Sequence, residues 1–221
     1  TFVAVVHKNP ELYFVKKALQ YSYSPSTGTV TKIMVTYRNY NLDAVEAEIN
    51  KIVDLVNDEM TDLEKIITIH DYLCLTIEYP QSDLLNNRVS DDAHTIKGAV
   101  IDKIAVCDGY STAFQYVMEK LGIDCTLVTG TGNGGSHAWN QVKLDGKWYL
   151  IDVSWDDLTF DNLGGIKHAH MLKSESDFAG HGWTKSDFER CTSTTYDNAF
   201  WADSNTLLLD YNNYWYYLDS E

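Results

Sequence analysis

A helical pattern that opens on a cysteine and runs directly into three turn-separated strand patterns constrains this chain most, because it fixes the layout of residues 107–153. Ala113, Phe114, Val117, Met118 and Leu121 recur at three- and four-residue steps, the apolar stripe of an amphipathic helix over 107–121. Gly122 follows at the position where a helix stops. Strands are expected over 124–130, 137–144 and 147–153, the last two joined by Asp145-Gly146 as a two-residue hairpin turn. Helices followed by a run of antiparallel strands, rather than alternating with them, predict an α+β fold.

Three chemically matched residues lie on these elements. Cys107 begins the helix, His137 opens His137-Ala138-Trp139-Asn140, and Asp152 closes Trp148-Tyr149-Leu150-Ile151-Asp152. A thiol becomes an acyl-transfer nucleophile when a base takes its proton and a third group orients that base. Unpaired N–H groups at a helix N-terminus favour a thiolate, and the Cys107 N–H is a natural oxyanion donor. With a turn at 145–146, Leu144 faces Lys147 and the register continues to His137 opposite Ser154. Asp152 then lies diagonally across from His137 on the same face. Gly109 allows a tight helix start and leaves room for an acyl group.

The rest of the chain supports a single packed core with additions. Its 221 residues are 44% hydrophobic and 13% aromatic, enough to exclude general disorder. Seventeen basic against 32 acidic residues give a net charge of -15, which repels phosphate backbones and anionic membranes alike. Nucleic acid is therefore not an expected partner, nor is membrane insertion, since no apolar run of spanning length occurs. Cys74, Cys107, Cys125 and Cys191 are too scattered for a disulfide scaffold and form no C-x-x-C pair. Alternating patterns flank Ser24-Pro25-Ser26-Thr27-Gly28 as a hairpin, a helix is expected over 43–58 with Asn41 or Asp43 as its cap, and Thr61-Asp62-Leu63-Glu64 reads as a capping box. Residues 80–92 read as a surface loop, with a short helix near 95–100. We expect an N-terminal hairpin and helix over 1–60, a core over 61–183, and a C-terminal β-hairpin extension over 184–221.

From Thr61 to Trp183 the chain resembles the transglutaminase-like superfamily of papain-type thiol enzymes, its bacterial branch in particular. The residues that carry the resemblance begin with Glu64-Lys65-Ile66, His70-Asp71-Tyr72, Cys107-Asp108-Gly109-Tyr110, Phe114 and Leu121-Gly122-Ile123. They continue with Gly130, His137-Ala138-Trp139-Asn140, Asp145-Gly146-Lys147-Trp148-Tyr149 and Asp152-Val153-Ser154-Trp155-Asp156-Asp157. The resemblance implies a Cys-bearing helix packed on an antiparallel sheet, with Cys107 as nucleophile, His137 as base and Asp152 as its orienter. It implies amide chemistry on a protein or peptide: a cysteine protease or amidase-type hydrolase, or alternatively a transglutaminase, a deamidase, or a cell-surface binding module that retains the fold without catalysis. No cofactor is called for. Its bacterial members also suggest an extracellular or cell-surface location. Two departures stand out: Val106 precedes the cysteine where many members have glycine followed by a variable residue, and Asp108 sets a carboxylate beside it.

Weaker signals complete the reading. Gly130-Thr131-Gly132-Asn133-Gly134-Gly135 lacks the lysine and helix of a phosphate cradle and is expected to be a flexible loop beside the site. His168, His170 and His181 show no strict metal-ligand spacing, and Asp156-Asp157 with Asp161-Asn162 lacks EF-hand spacing, so no metal is assigned. Trp139 and Trp155 are candidate cleft walls, and Tyr79 and Gln81 are candidates for a second oxyanion donor. The aromatic tail, Tyr211 and Tyr214 to Tyr217, reads as a half-buried hairpin around Asn212-Asn213. The sequence leaves substrate identity and oligomeric state open.

Overall fold

The computed structural model describes residues 1–157, 166–199 and 201, together with the backbone of 207–211 and 214–218. Asp161 and Asn162, two residues of the weighed calcium cluster, and the side chains of the aromatic tail lie outside the described residues. The chain begins with a short helix, α1 (Phe2–His7), ahead of the expected hairpin. A hairpin follows, β1 (Val15–Ser24) and β2 (Thr29–Tyr37), closed by the expected turn. It is paired with no other strand among the described residues and leaves Tyr21, Tyr23, Val30, Ile33 and Tyr37 exposed.

Helix α2 (Leu42–Val53) is capped by Asn41 and buries Val45, Ile49 and Ile52. Helix α3 (Asp62–Thr76) has both hydrogen bonds of the capping box between Thr61 and Glu64. The expected loop at 80–92 contains one short helix, α4 (Gln81–Leu85), a 3-10 turn follows at Asp91–His94, and the short helix expected near 95–100 is present as a π-helical segment over Gly98–Asp102. Helix α5 (Cys107–Lys120) buries nine of its residues, so it is the central helix rather than a one-faced surface one. Gly122 ends it with φ +75°.

The main sheet runs β5-β4-β3-β6. Strands β3 (Cys125–Gly132), β4 (Gly135–Leu144) and β5 (Lys147–Ile151) form an antiparallel meander, and the two-residue β6 (His181–Gly182) pairs with β3. Leu144 pairs with Lys147 and Asn140 with Ile151, the register expected from the 145–146 turn. The glycine run is not a loop: Gly132 pairs with Gly135 around Asn133-Gly134, both with positive φ. Asn-Gly is itself the hairpin signal. Strand β5 ends at Ile151, one residue before Asp152, which instead caps a one-turn helix, α6 (Val153–Asp156). Strands β7 (Leu207–Tyr211) and β8 (Tyr214–Leu218) pair antiparallel.

Alternation along β4 divides the protein into two apolar layers. Val142 and Leu144 join the large core beneath α5, where Phe114, Val117, Met118, Ile66, Ile69 and Leu73 meet. Trp139 faces the other way, into a smaller cluster with Val128, Leu150, Phe178 and Cys191. The fold is a mixed α+β arrangement, with the cysteine helix laid against an antiparallel sheet.

Candidate active site

Cys107 and His137 line one cavity of about 500 Å³, with Val3, His7, Lys17, Tyr79, His94 and Asp108 around them. Cys107 is partly accessible at the N-terminus of α5, and no side chain caps that terminus from Val106. The Cys107 N–H instead donates to the Tyr79 phenol oxygen. The expected oxyanion donor and Tyr79 thus meet at one point. Burial, followed by the charges of Cys107, Asp152 and Asp108, raises the Tyr79 pKa, so the hydroxyl keeps its proton.

His137 is buried near the start of β4. Its Nε2 is 2.7 Å from Asp152 Oδ2, and its other side is a hydrogen-bonding partner of Cys107. Burial alone would disfavour a charged ring. The hydrogen bonds and charges of Asp152 and Cys107 outweigh it and push the imidazole up to about 10. Asp152 is fully buried and accepts from four groups: His137, His181, the Ser154 hydroxyl and the Trp155 N–H. Burial opposes its ionisation, but the hydrogen bonds from His137 and His181 hold its carboxyl well below the usual range.

Packing explains two glycines here. A Cβ at Gly132 would come 2.7 Å from the His137 ring and 2.9 Å from Trp155, so glycine lets both rings lie against the hairpin. Gly109 serves packing rather than substrate, since a Cβ there would meet the Ala93 carbonyl oxygen at 2.4 Å and the space expected for an acyl group is filled.

The two expected wall residues, Trp139 and Trp155, and the candidate donor Tyr79 separate. Tyr79 lines the Cys107 cavity, and Trp155 lines an adjoining one of about 310 Å³ with Tyr79, Gln81, Asn133 and Ser154. Trp155 also packs its ring 5.1 Å from that of His137. Trp139 requires correction: it is fully buried between Phe178 and Trp183 and presents no surface to a substrate. It follows His137 by two residues on one face of β4, but that face is covered from Trp139 onward.

Asp108, the local objection to a reactive thiol, has its charge answered elsewhere. Its carboxylate accepts from His94 Nδ1 at 2.8 Å and lies 3.6 Å from Lys17 Nζ. The hydrogen bond to Asp108 raises the His94 pKa against a smaller effect of burial. Lys17 and His7 come from the N-terminal hairpin and helix, so residues outside the recognised motifs shape the cleft. Burial, then Lys17, lowers the His7 imidazole to about 4.

A second polar cluster lies beneath the first, and sequence reading assigned it no role. His70 Nδ1 and His168 Nε2 both reach Asp71 Oδ1 at 2.8 Å, while His70 Nε2 is 3.3 Å from Asp156 Oδ2. His170 Nδ1 donates to Asp156 Oδ1 at 3.0 Å, and Tyr110 donates to Asp157 Oδ2 at 2.5 Å. The groups His70-Asp71-His168 and His137-Asp152-His181 each bring three ligand-type atoms within 4.8 Å. Their 2.7–2.9 Å contacts are hydrogen-bond lengths, whereas atoms sharing a tetrahedral zinc at about 2.0–2.1 Å sit roughly 3.3 Å apart. The His70-Asp71-Tyr72 motif and the separately weighed His168, His170 and Asp156-Asp157 are all members of this cluster, but no spacing linked them.

A cysteine at the start of a buried helix, laid against an antiparallel sheet that supplies a histidine, defines a thiol-enzyme fold. Residues 50–153 match the family model described as the transglutaminase-like superfamily, and through this segment the chain is similar to that superfamily. Kyphoscoliosis peptidase from Mus musculus is 31% identical over 129 residues and the Homo sapiens protein 30% over 129. These alignments cover 50% and 51% of this chain, which spans only 18% of the length of those relatives. Among solved structures, a TGase aligns with 68% of this chain and 47% of its own at 15% identity and a TM-score of 0.47. An arylamine N-acetyltransferase from Bacillus cereus aligns with 50% of this chain and 49% of its own at 14% identity and a TM-score of 0.39.

Proposed function

We propose that this protein is a thiol acyl-transfer enzyme that hydrolyses amide bonds of a protein or peptide. The observation that carries the reading is the position of His137: it shares a cavity and a hydrogen bond with Cys107 while Nε2 is held by buried Asp152. The Cys107 thiolate attacks the amide carbon, forming the S–C bond and moving the carbonyl π electrons to oxygen. The Cys107 N–H, released from the Tyr79 oxygen as substrate enters, and the Tyr79 hydroxyl donate to that oxyanion. As the C–N bond breaks, the His137 imidazolium gives its proton to the leaving amine. A water then attacks the thioester, yielding its proton to His137, and the acid departs as the thiolate returns. Asp152 keeps the ring oriented throughout.

Hydrolysis is favoured over transfer to an amine because the curated relatives carry the name peptidase. An extracellular or cell-surface peptide substrate fits the family's bacterial members, and among the described residues no helix is long and apolar enough to cross a membrane. The test is a peptide-library incubation with the protein and with Cys107→Ala, scored by mass. Cleavage or a one-dalton deamidation that depends on Cys107 supports the reading. Stable incorporation of an added amine into glutamine peptides reassigns the protein as a transglutaminase, and the absence of any Cys107-dependent product leaves a non-catalytic binding module.

A further inference from the structure

Asp152 is reached by a second imidazole that the reaction above does not use. His181 Nε2 lies 2.9 Å from the same Oδ2 that His137 holds, and the His181 side chain is fully buried. Its ring stacks on Phe178 at 4.0 Å, with Trp155 at 4.1 Å and Trp139 edge-on at 4.8 Å. His181 Nδ1 is 3.0 Å from the Ala179 carbonyl oxygen, which can only accept. Both ring nitrogens therefore face hydrogen-bond acceptors. The titratable groups facing it are Asp152 ahead of α6, His137 on β4 at 5.4 Å and His170 at 5.8 Å; its other ring neighbours are aromatic. Its backbone is also held. Gly180 has φ +81°, a Cβ there would come 2.9 Å from Trp155, and the Gly180 carbonyl accepts from the Asn133 N–H.

We propose that His181 is a positioning residue: it fixes the Asp152 carboxylate and, by donating to the same Oδ2, limits how firmly that carboxylate holds the proton on His137. The proposal rests on the catalytic reading above. A proton donor works best when it is not held far more tightly than the reaction requires, and a hydrogen bond that stabilises a carboxylate from a second donor weakens its pull on the first. His181 thus offsets the strong pull of a buried aspartate, and removing its donor makes His137 keep its proton to higher pH.

The test is the pH dependence of iodoacetamide labelling at Cys107, resolved by mass spectrometry, in the natural protein and in His181→Phe. Phenylalanine keeps the stacked ring but offers Asp152 no donor. The natural protein should show two steps, the upper one marking proton loss from His137, and His181→Phe should move that step up by roughly half a unit to one unit. A two-step profile whose upper step stays in place in His181→Phe overturns this proposal alone. A single step like that of a free thiol in the natural protein overturns the catalytic reading and this proposal with it. Nitrogen-15 spectra of the natural protein provide a readout independent of the variant: the His181 Nε2 should carry a proton shared with Asp152, and a bare Nε2 overturns the proposal.

Discussion

Cys107, His137 and Asp152 have a counterpart in Cys74, His70 and Asp71, built from the same three residue types but wholly buried. His70 Nδ1 is 2.8 Å from Asp71, and Cys74 Sγ is 4.0 Å from His70 Nε2. The two sets differ in access. Cys107 opens into a cavity at a helix N-terminus, whereas Cys74 is fully buried within α3 and lies 3.4 Å from the Val153 carbonyl oxygen. Burial pushes the Cys74 thiol up to about 12, and the attraction of His70 does not compensate. Burial likewise opposes charge on His70, yet contacts with Cys74, Asp156 and Asp71 raise its pKa well above the ordinary value. One set is poised for proton transfer and the other is a salt-bridged anchor. The short helix α6 joins them, with Asp152 at its start and Asp156 at its end. Residue type alone therefore does not make a nucleophile.

The largest effect that could break this comparison is on turnover. Cys107→Ala should abolish Cys107-dependent peptide products, and Cys74→Ala should leave them within a factor of about three; equal losses would erase the distinction. Next come the carboxylates. Asp152→Asn should lower kcat/KM by about 10²–10⁴ with the fold intact. Asp71→Asn should act on stability instead, costing about 3–5 kcal/mol in denaturant unfolding, because it strips two buried imidazoles of a shared partner.

Chemical labelling sharpens the same contrast. Under native conditions iodoacetamide should modify Cys107 at least about a hundredfold faster than Cys74, and comparable rates would show that the buried set opens readily. A smaller effect appears in stability against pH. The folded-state pKa of His137 is raised, so its contribution is complete below about 6.5 and is lost as pH climbs through about 10. The stability difference between the natural protein and His137→Gln should shrink across that window. Asp152 carries the opposite sign, present above the ordinary carboxylate range and lost in strong acid. The smallest effect belongs to Asp108→Asn, which should change the Cys107 labelling rate by no more than about threefold, since His94 and Lys17 already balance that charge.

Local features of the site were legible because short-range rules govern them. The 145–146 turn fixed the β4–β5 register as far as Asn140–Ile151, short of the expected pairing of His137 with Ser154, and Asp152 meets His137 from the cap of α6 instead. The Thr61–Glu64 capping box and the Gly122 stop follow from backbone groups within a few residues. The α6 cap was missed because Asp152 completed a convincing strand pattern. The hairpin at Asn133-Gly134 was missed because its flanking glycines suggested a loop.

Other assignments depended on residues far apart in the chain. Trp139 was expected at the cleft and lies in the core because Phe178 and Trp183, some forty residues later, cover it. His181 reaches Asp152, and His168 reaches Asp71 across 97 positions, without any spacing pattern to announce them.

By itself the sequence determined the α+β order, the cysteine at a helix start, the hairpin register, and the thiol, imidazole and carboxylate set itself. Turn chemistry, capping and apolar period are local, and they act over a few residues at a time. The tertiary structure decided which cysteine meets solvent, that Asp108 is balanced by His94 and by Lys17 of the N-terminal hairpin, and that Asp152 is shared by two histidines. Those outcomes rest on burial and on charge–charge distances, which exist only once distant segments have packed together.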